Sequence, residues 1–122
     1  MSINPIPRRG EIWLVNFDPT IGTEIKKIRP AIVVSSDAVG KLPIKLTAPI
    51  TDWKDYFAQN LWHIKLDPDA INNLTKVSAI DVLQLRGMDI QRFIRKLGNL
   101  SAEKMAETTT AIATVIEFNP DN

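Results

Sequence analysis

Apolar residues in this chain come in short runs that turn-forming residues keep interrupting, and only beyond Ser101 does their spacing become helical. That punctuation limits the fold more than any other feature. Seven segments read as strands: 11–17 (EIWLVNF), 30–36 (PAIVVSS), 44–51 (IKLTAPIT), 61–66 (LWHIKL), 75–80 (TKVSAI), 82–86 (VLQLR) and 92–97. Gly10 opens the first, and Asp18-Pro19 and Gly22 supply turn chemistry to the charged loop 18–29 behind it. The second is rich in Ile and Val without polar alternation, which predicts burial on both faces. Pro49 marks an edge or a bulge near the end of the third, because proline brings no N–H to a ladder. Residues 52–60 read as a loop and 67–73 as a turn.

The end of the chain changes period. Ser101 is a helix N-cap, its hydroxyl placed to accept an orphan backbone N–H. Glu103 falls in the first turn, where the helix dipole favours an acid. Leu100 and Met105 stand at the two positions of a hydrophobic staple. Met105, Ile112, Val115 and Ile116 continue as an apolar stripe, while Thr108, Thr109 and Thr110 lower the intrinsic propensity, so this helix needs packing to persist. Short strands followed by one terminal helix predict a mainly β fold with α: a strongly curved antiparallel sheet capped by the C-terminal helix. A chain of 122 residues, 44% hydrophobic, fits a single domain over 1–122 with its own core. At this size, pairing with a second copy would add useful buried surface.

Composition removes several chemistries. There is no cysteine, hence no structural disulfide, thiolate metal ligand or thiol nucleophile, in keeping with a reducing cytoplasm. No apolar run approaches the roughly 18 residues needed to cross a bilayer, so no membrane association is expected. Met1 to Gly10 is polar and proline-rich and does not read as a signal peptide. The single histidine, His63, excludes a histidine-pair nuclease within one chain and reads as an ordinary strand residue. Phosphate-binding glycine loops and metal-ligand spacings are absent; Asp18 and Glu24 share a loop, but magnesium sites want more converging carboxylates. The formal net charge is only +1. Affinity for a polyanion must therefore come from local clusters, Lys26, Lys27 and Arg29 early in the chain and Arg86, Arg92, Arg95 and Lys96 later.

Residues 9–37 (RGEIWLVNFDPTIGTEIKKIRPAIVVSSD) concentrate the functional signal. A polar loop ends at an Arg-Pro step that opens a buried strand. Pro30 disfavours helical backbone at Arg29 and holds it extended at the base of the loop, where a planar guanidinium can face a phosphate. The plainer reading of Arg29 is a surface or interface ion pair.

Arg9-Gly10-Glu11, the loop from Pro19 to Gly22-Thr23-Glu24, Arg29-Pro30 before Ala31 to Ser35, Ala48 to Thr51, Val82 to Arg86 and the closing helix to Glu117-Phe118 form an ordered set. That set resembles the MazF/PemK family of type II toxin–antitoxin systems along nearly the whole chain. The resemblance implies a small SH3-like curved antiparallel β-barrel capped by a C-terminal helix, a form shared with CcdB-like toxins. It implies a sequence-specific endoribonuclease that cleaves single-stranded RNA, with messenger RNA the expected substrate, without metal or other cofactor, through attack of the ribose 2′-OH on phosphorus. Arg29 and Thr51 match the family's catalytic pair, and Pro49 stands where another residue is common. Thr23, Glu24, Lys26 and Lys27 fall in the loop that shapes RNA binding, and Gln84 and Arg86 in a substrate-facing segment. Trp53, two residues beyond Thr51, can stack a base or simply pack. Implied partners are RNA, a cognate antitoxin and a second copy in a homodimer. Two rivals share the fold: a CcdB-like gyrase poison and a non-catalytic RNA-binding module.

Overall fold

The computed structural model describes residues 6–121, so residues 1–5 of the polar N-terminal stretch, and Asn122, lie outside the described residues. Seven strands and one helix follow in the order β1 (Glu11–Asn16), β2 (Ile28–Val33), β3 (Ile44–Asp52), β4 (His63–Leu66), β5 (Ser78–Asp81), β6 (Arg86–Asp89), β7 (Phe93–Asn99) and α1 (Ala102–Val115). All ladders are antiparallel and form one sheet in the order β4-β5-β3-β2-β1-β7, with β6 also on β3. The long strand β3 is the hub. Its first half pairs with β6 from Ile44↔Asp89 to Thr47↔Arg86, its middle with β2 at Ala31↔Pro49, and its end with β5 from Ile50↔Ile80 to Asp52↔Ser78. One strand that changes partner along its length bends the sheet around itself. Two register shifts between β1 and β7, at Ile12/Trp13 and Leu14/Val15, add local twist.

The curved sheet has apolar residues packed on both sides. Ile12, Ile32 and Val34 join Ile50, Leu66 and Ile80 beneath α1, which contributes Ala111, Met105, Ile112 and Val115. On the opposite side Trp13, Val15, Ala31 and Val33 meet Phe17, Met88 and Phe93. Neighbouring residues of β1 and β2 thus enter different clusters, as the uninterrupted Ile/Val run predicts. Trp13 meets Phe93 edge-on at 5.9 Å.

The helix begins as read. The Ser101 hydroxyl accepts from Lys104 N at 3.1 Å, and Leu100 and Met105 both reach the core under α1. The threonines are accommodated by packing: Thr108 is fully buried and its hydroxyl donates to Lys104 O at 2.7 Å.

Several boundaries differ from the sequence reading: β2 begins at Ile28, inside the expected loop, and ends at Val33, β4 begins only at His63, and α1 stops at Val115, short of Glu117-Phe118. Residues 82–86 are not a strand; Val82–Gln84 form a 3₁₀ turn, and the strand begins at Arg86. The Asp81 carboxylate caps that turn by accepting Leu83 N at 3.1 Å, while buried Val82 anchors it. The strand expected over 75–80 begins only at Ser78. Pro49 lies inside β3, opposite Ala31. The gap between the β6 and β5 pairings falls at Ala48 and Pro49, which suits a residue without an N–H.

Candidate active site

Arg29 enters the site through two ladders. In β1–β2 it sits opposite Val15. In β2–β3 the register runs Val33↔Thr47, Ile32↔Ala48, Ala31↔Pro49; continued by two residues it sets Arg29 opposite Thr51. Opposite residues of an antiparallel pair project to the same face. Arg29 and Thr51 accordingly line one depression of about 200 Å³, with Asp52, Thr75, Lys76 and Ser78 on its other wall.

The electrostatics of this depression are unusual for an arginine at the edge of a core. Among the described residues the only hydrogen bond of the Arg29 guanidinium is a long one, Nε to Lys26 O at 3.5 Å, and no carboxylate lies within ion-pairing distance of it. Among the described residues Arg29 therefore forms no ion pair within its own chain. Asp52 leans instead toward Lys76, 3.8 Å away. Among the described residues no hydrogen bond engages the Thr51 hydroxyl. The Arg29 guanidinium and the available Thr51 hydroxyl suit a phosphate, with Lys76, held near Asp52, beside them.

A second, larger hollow of about 470 Å³ lies further along β3 at Pro49, walled by Thr23, Glu24 and Ile25 of the loop after β1 and by Asp81, Gln84 and Arg86. Here Gln84 and Arg86 already have partners in the protein. Gln84 Oε1 accepts Ile25 N at 2.5 Å and its Nε2 donates to Asp81 Oδ2 at 3.1 Å. Arg86 Nη1 donates to Phe17 O at 3.1 Å.

The model of the family described as PemK-like, MazF-like toxin of type II toxin-antitoxin system matches residues 8–116. The chain belongs to that family. It is 31% identical over 113 residues to a protein named Endoribonuclease MazF from Staphylococcus epidermidis, covering 92% of each chain. Its fold superposes with a TM-score of 0.78 on a crystal structure of MazF from Deinococcus radiodurans, at 21% identity, covering 94% of this chain and 100% of that one. A mycobacterial endoribonuclease solved in complex with its cognate antitoxin superposes with a TM-score of 0.74 at 16% identity, over 93% and 98% of the two chains.

The other residues marked by the family resemblance scatter around the two hollows. Lys26 and Lys27 are exposed on the loop and line neither hollow; Lys27 takes a left-handed conformation (φ 69°) and its carbonyl accepts Phe17 N at 2.9 Å, closing the loop base. Glu24 accepts Ile21 N at 2.6 Å, and Asp18 accepts Lys27 N at 2.9 Å. Those two loop acids thus face backbone amides, and among the described residues no three His, Cys, Asp or Glu side chains converge as metal ligands. Trp53 stands just beyond β3, edge-on to Phe57 at 5.8 Å, with Lys65 Nζ 5.3 Å from its ring. Among the described residues no helix is long and apolar enough to cross a membrane.

Sequence reading missed Lys76 and the Asp81–His63 pair. Lys76 reaches the Arg29 hollow only through the β3–β5 register, which a single sequence does not reveal. The His63 side chain is 6% exposed, stacks on Phe57 at 3.7 Å, and places Nε2 3.6 Å from Asp81 Oδ2. Burial pushes its pKa down, and the nearby Asp81 charge only partly opposes this. The imidazole packs against Phe57, with Asn60 Nδ2 3.1 Å from its Nδ1. Glu11 is also shifted: burial raises its pKa, but hydrogen bonds from the Trp13 indole and the Arg8 amide, with the Lys96 ammonium, outweigh burial and lower it.

Proposed function

We propose that this chain is a sequence-specific endoribonuclease toxin that cuts single-stranded RNA, messenger RNA above all, and acts as one domain in the cytoplasm. The observation that carries the reading is the Arg29 guanidinium, which has no carboxylate partner among the described residues in the hollow it shares with Thr51. The family supplies the context, and the staphylococcal relative bears the name of this activity.

The chemistry follows from what the hollow contains. The nucleophile belongs to the substrate: the ribose 2′-oxygen forms a bond to the adjacent phosphorus, the bond from phosphorus to the 5′-oxygen breaks, and the leaving oxygen takes up a proton while the 2′-OH gives one up. The products are a 2′,3′-cyclic phosphate and a 5′-hydroxyl, and DNA, lacking the 2′-OH, binds without reacting. Negative charge grows on the phosphoryl oxygens in the transition state, and donors fixed there supply the stabilisation. Arg29 provides two such donors and Thr51 a hydroxyl that orients the phosphate. A guanidinium holds its proton too firmly to be a good base near neutrality, so Arg29 acts by charge. No metal or cofactor takes part in this scheme. Lys26 and Lys27 attract the RNA backbone, Trp53 offers a stacking face, and Thr23, Glu24, Gln84 and Arg86 shape the groove beside the scissile phosphate.

The chain works as a homodimer neutralised by a cognate antitoxin, as the mycobacterial neighbour is bound by its own. An acidic antitoxin segment suits the Lys26, Lys27 and Arg29 cluster. The test is cleavage of a mixed-sequence single-stranded RNA in excess EDTA, with its all-deoxy counterpart as control. RNA-only cleavage that leaves cyclic-phosphate ends and disappears in Arg29→Ala supports the reading. Intact RNA with a folded protein, or inhibition of gyrase supercoiling instead, overturns it.

A further inference from the structure

We propose that Gln84 and Arg86 are positioning residues that hold the β1–β2 loop in place for Arg29, and that they do so without reading the RNA bases. This deepens the nuclease reading and rests on it.

The loop runs from Phe17 to Lys27 and delivers Arg29 to the active hollow. Its two ends are gripped from one short stretch of chain. Gln84 accepts the amide of Ile25 near the C-terminal end of the loop, and Arg86 donates to the carbonyl of Phe17 at the N-terminal end. Arg86 also sits opposite Thr47 in β6–β3, and the Thr47 hydroxyl donates to the Arg86 carbonyl at 3.1 Å. Thr51 lies further along the same strand, β3. The stretch that grips the loop is thus tied to the strand that carries the second catalytic residue, and Arg29 and Thr51 are held relative to one another through it.

Gln84 already commits one acceptor site of its carbonyl and one of its two amide N–H groups to the protein before any base arrives. The carbonyl faces Ile25 N and the nitrogen faces Asp81 Oδ2, while the other Asp81 oxygen accepts Leu83 N. Asp81 is itself buried, 7% exposed, beneath His63. A side chain whose donor and acceptor are both engaged, backed by a buried carboxylate, is a strut; its removal frees the Ile25 amide and lets the loop drift. Misplacement of a catalytic group by about 1 Å costs on the order of 100-fold in rate.

Steady-state cleavage of a fluorogenic single-stranded RNA, together with binding of the same oligonucleotide carrying 2′-O-methyl riboses, separates positioning from base reading. Gln84→Ala lowers kcat roughly 10- to 100-fold, leaves the Kd for the methylated RNA within about threefold, leaves the cleavage-site preference unchanged, and loses exchange protection at the Ile25 amide. Arg86→Ala acts the same way and more weakly. The polarity-reversed pair Asp81→Asn/Gln84→Glu restores kcat relative to Gln84→Glu alone, because the amide introduced at position 81 then donates to the carboxylate introduced at position 84, which still accepts Ile25 N. Unchanged kcat in Gln84→Ala overturns the proposal, as does a weakened Kd with relaxed site preference at intact kcat, or failure of the reversed pair to recover. If the wild-type chain leaves RNA intact, the nuclease reading fails instead, and exchange at Ile25 still reports whether Gln84 grips the loop.

Discussion

The two hollows along β3 are built from similar residues and put them to opposite uses. Around Arg29 two heads are available among the described residues, a guanidinium without an acid and a hydroxyl without a partner, while Lys76 leans to Asp52. Around Gln84 the heads are engaged, each with a loop carbonyl, a loop amide or a buried carboxylate. Proximity to a pocket therefore does not tell a reactive residue from a supporting one. Hydrogen-bond occupancy does, because a group already satisfied by the protein must break that bond before it can serve a substrate, whereas an available group binds at no such cost.

The sharpest way to break this contrast is Arg29→Ala. Loss of an electrostatic donor aimed at the transition state should lower kcat/KM about 1,000-fold, while urea unfolding changes by no more than about 0.5 kcal/mol because, among the described residues, the guanidinium makes only one long hydrogen bond, to Lys26 O. A large stability loss would mean that Arg29 is engaged after all. Thr51→Ala comes next, about 10- to 100-fold slower in cleavage, as expected for one hydrogen bond to a charged group, with Thr51→Ser close to wild type. Asp81→Ala should show the reverse balance: a loss of about 1–3 kcal/mol in urea unfolding, from an uncapped Leu83 amide and an unmatched Gln84. If Asp81→Ala is as stable as wild type, the second hollow is not architectural.

The smallest effect is with pH. His63 has a folded pKa below its ordinary 6.5, so the folded state binds fewer protons than the unfolded one. Its contribution to stability is complete above that value and is lost as the pH falls through the lowered folded pKa. Glu11, also lowered, keeps its contribution above 4.5 and loses it as acidification continues. Thermal unfolding across an acid titration should therefore weaken in two steps, and His63→Gln should flatten the first.

Several elements were legible because their signals are local. The double burial of β2 follows from its Ile/Val run, the start of α1 from Ser101 and its staple, and the extended backbone of Arg29 from the proline behind it. The segment VLQLR was misread as one strand because its apolar residues alternate like a strand. The Asp81 cap and the burial of Val82 turn it into a 3₁₀ turn, and both depend on partners elsewhere in the chain. Within the site, Arg29 and Thr51 were marked by family resemblance, while Lys76 carried no signal of its own.

The sequence by itself determined most element types and the start of the helix, since periodicity, capping and proline sterics involve only neighbours along the chain; Arg29 and Thr51 were marked by the family resemblance alone. The tertiary structure alone decided that Arg29 and Thr51 line one hollow, that no acid among the described residues reaches Arg29, and that Gln84 and Arg86 turn toward the loop. Those outcomes depend on strand register and on packing between residues far apart in sequence, where one register among many satisfies the buried faces on both sides of the sheet.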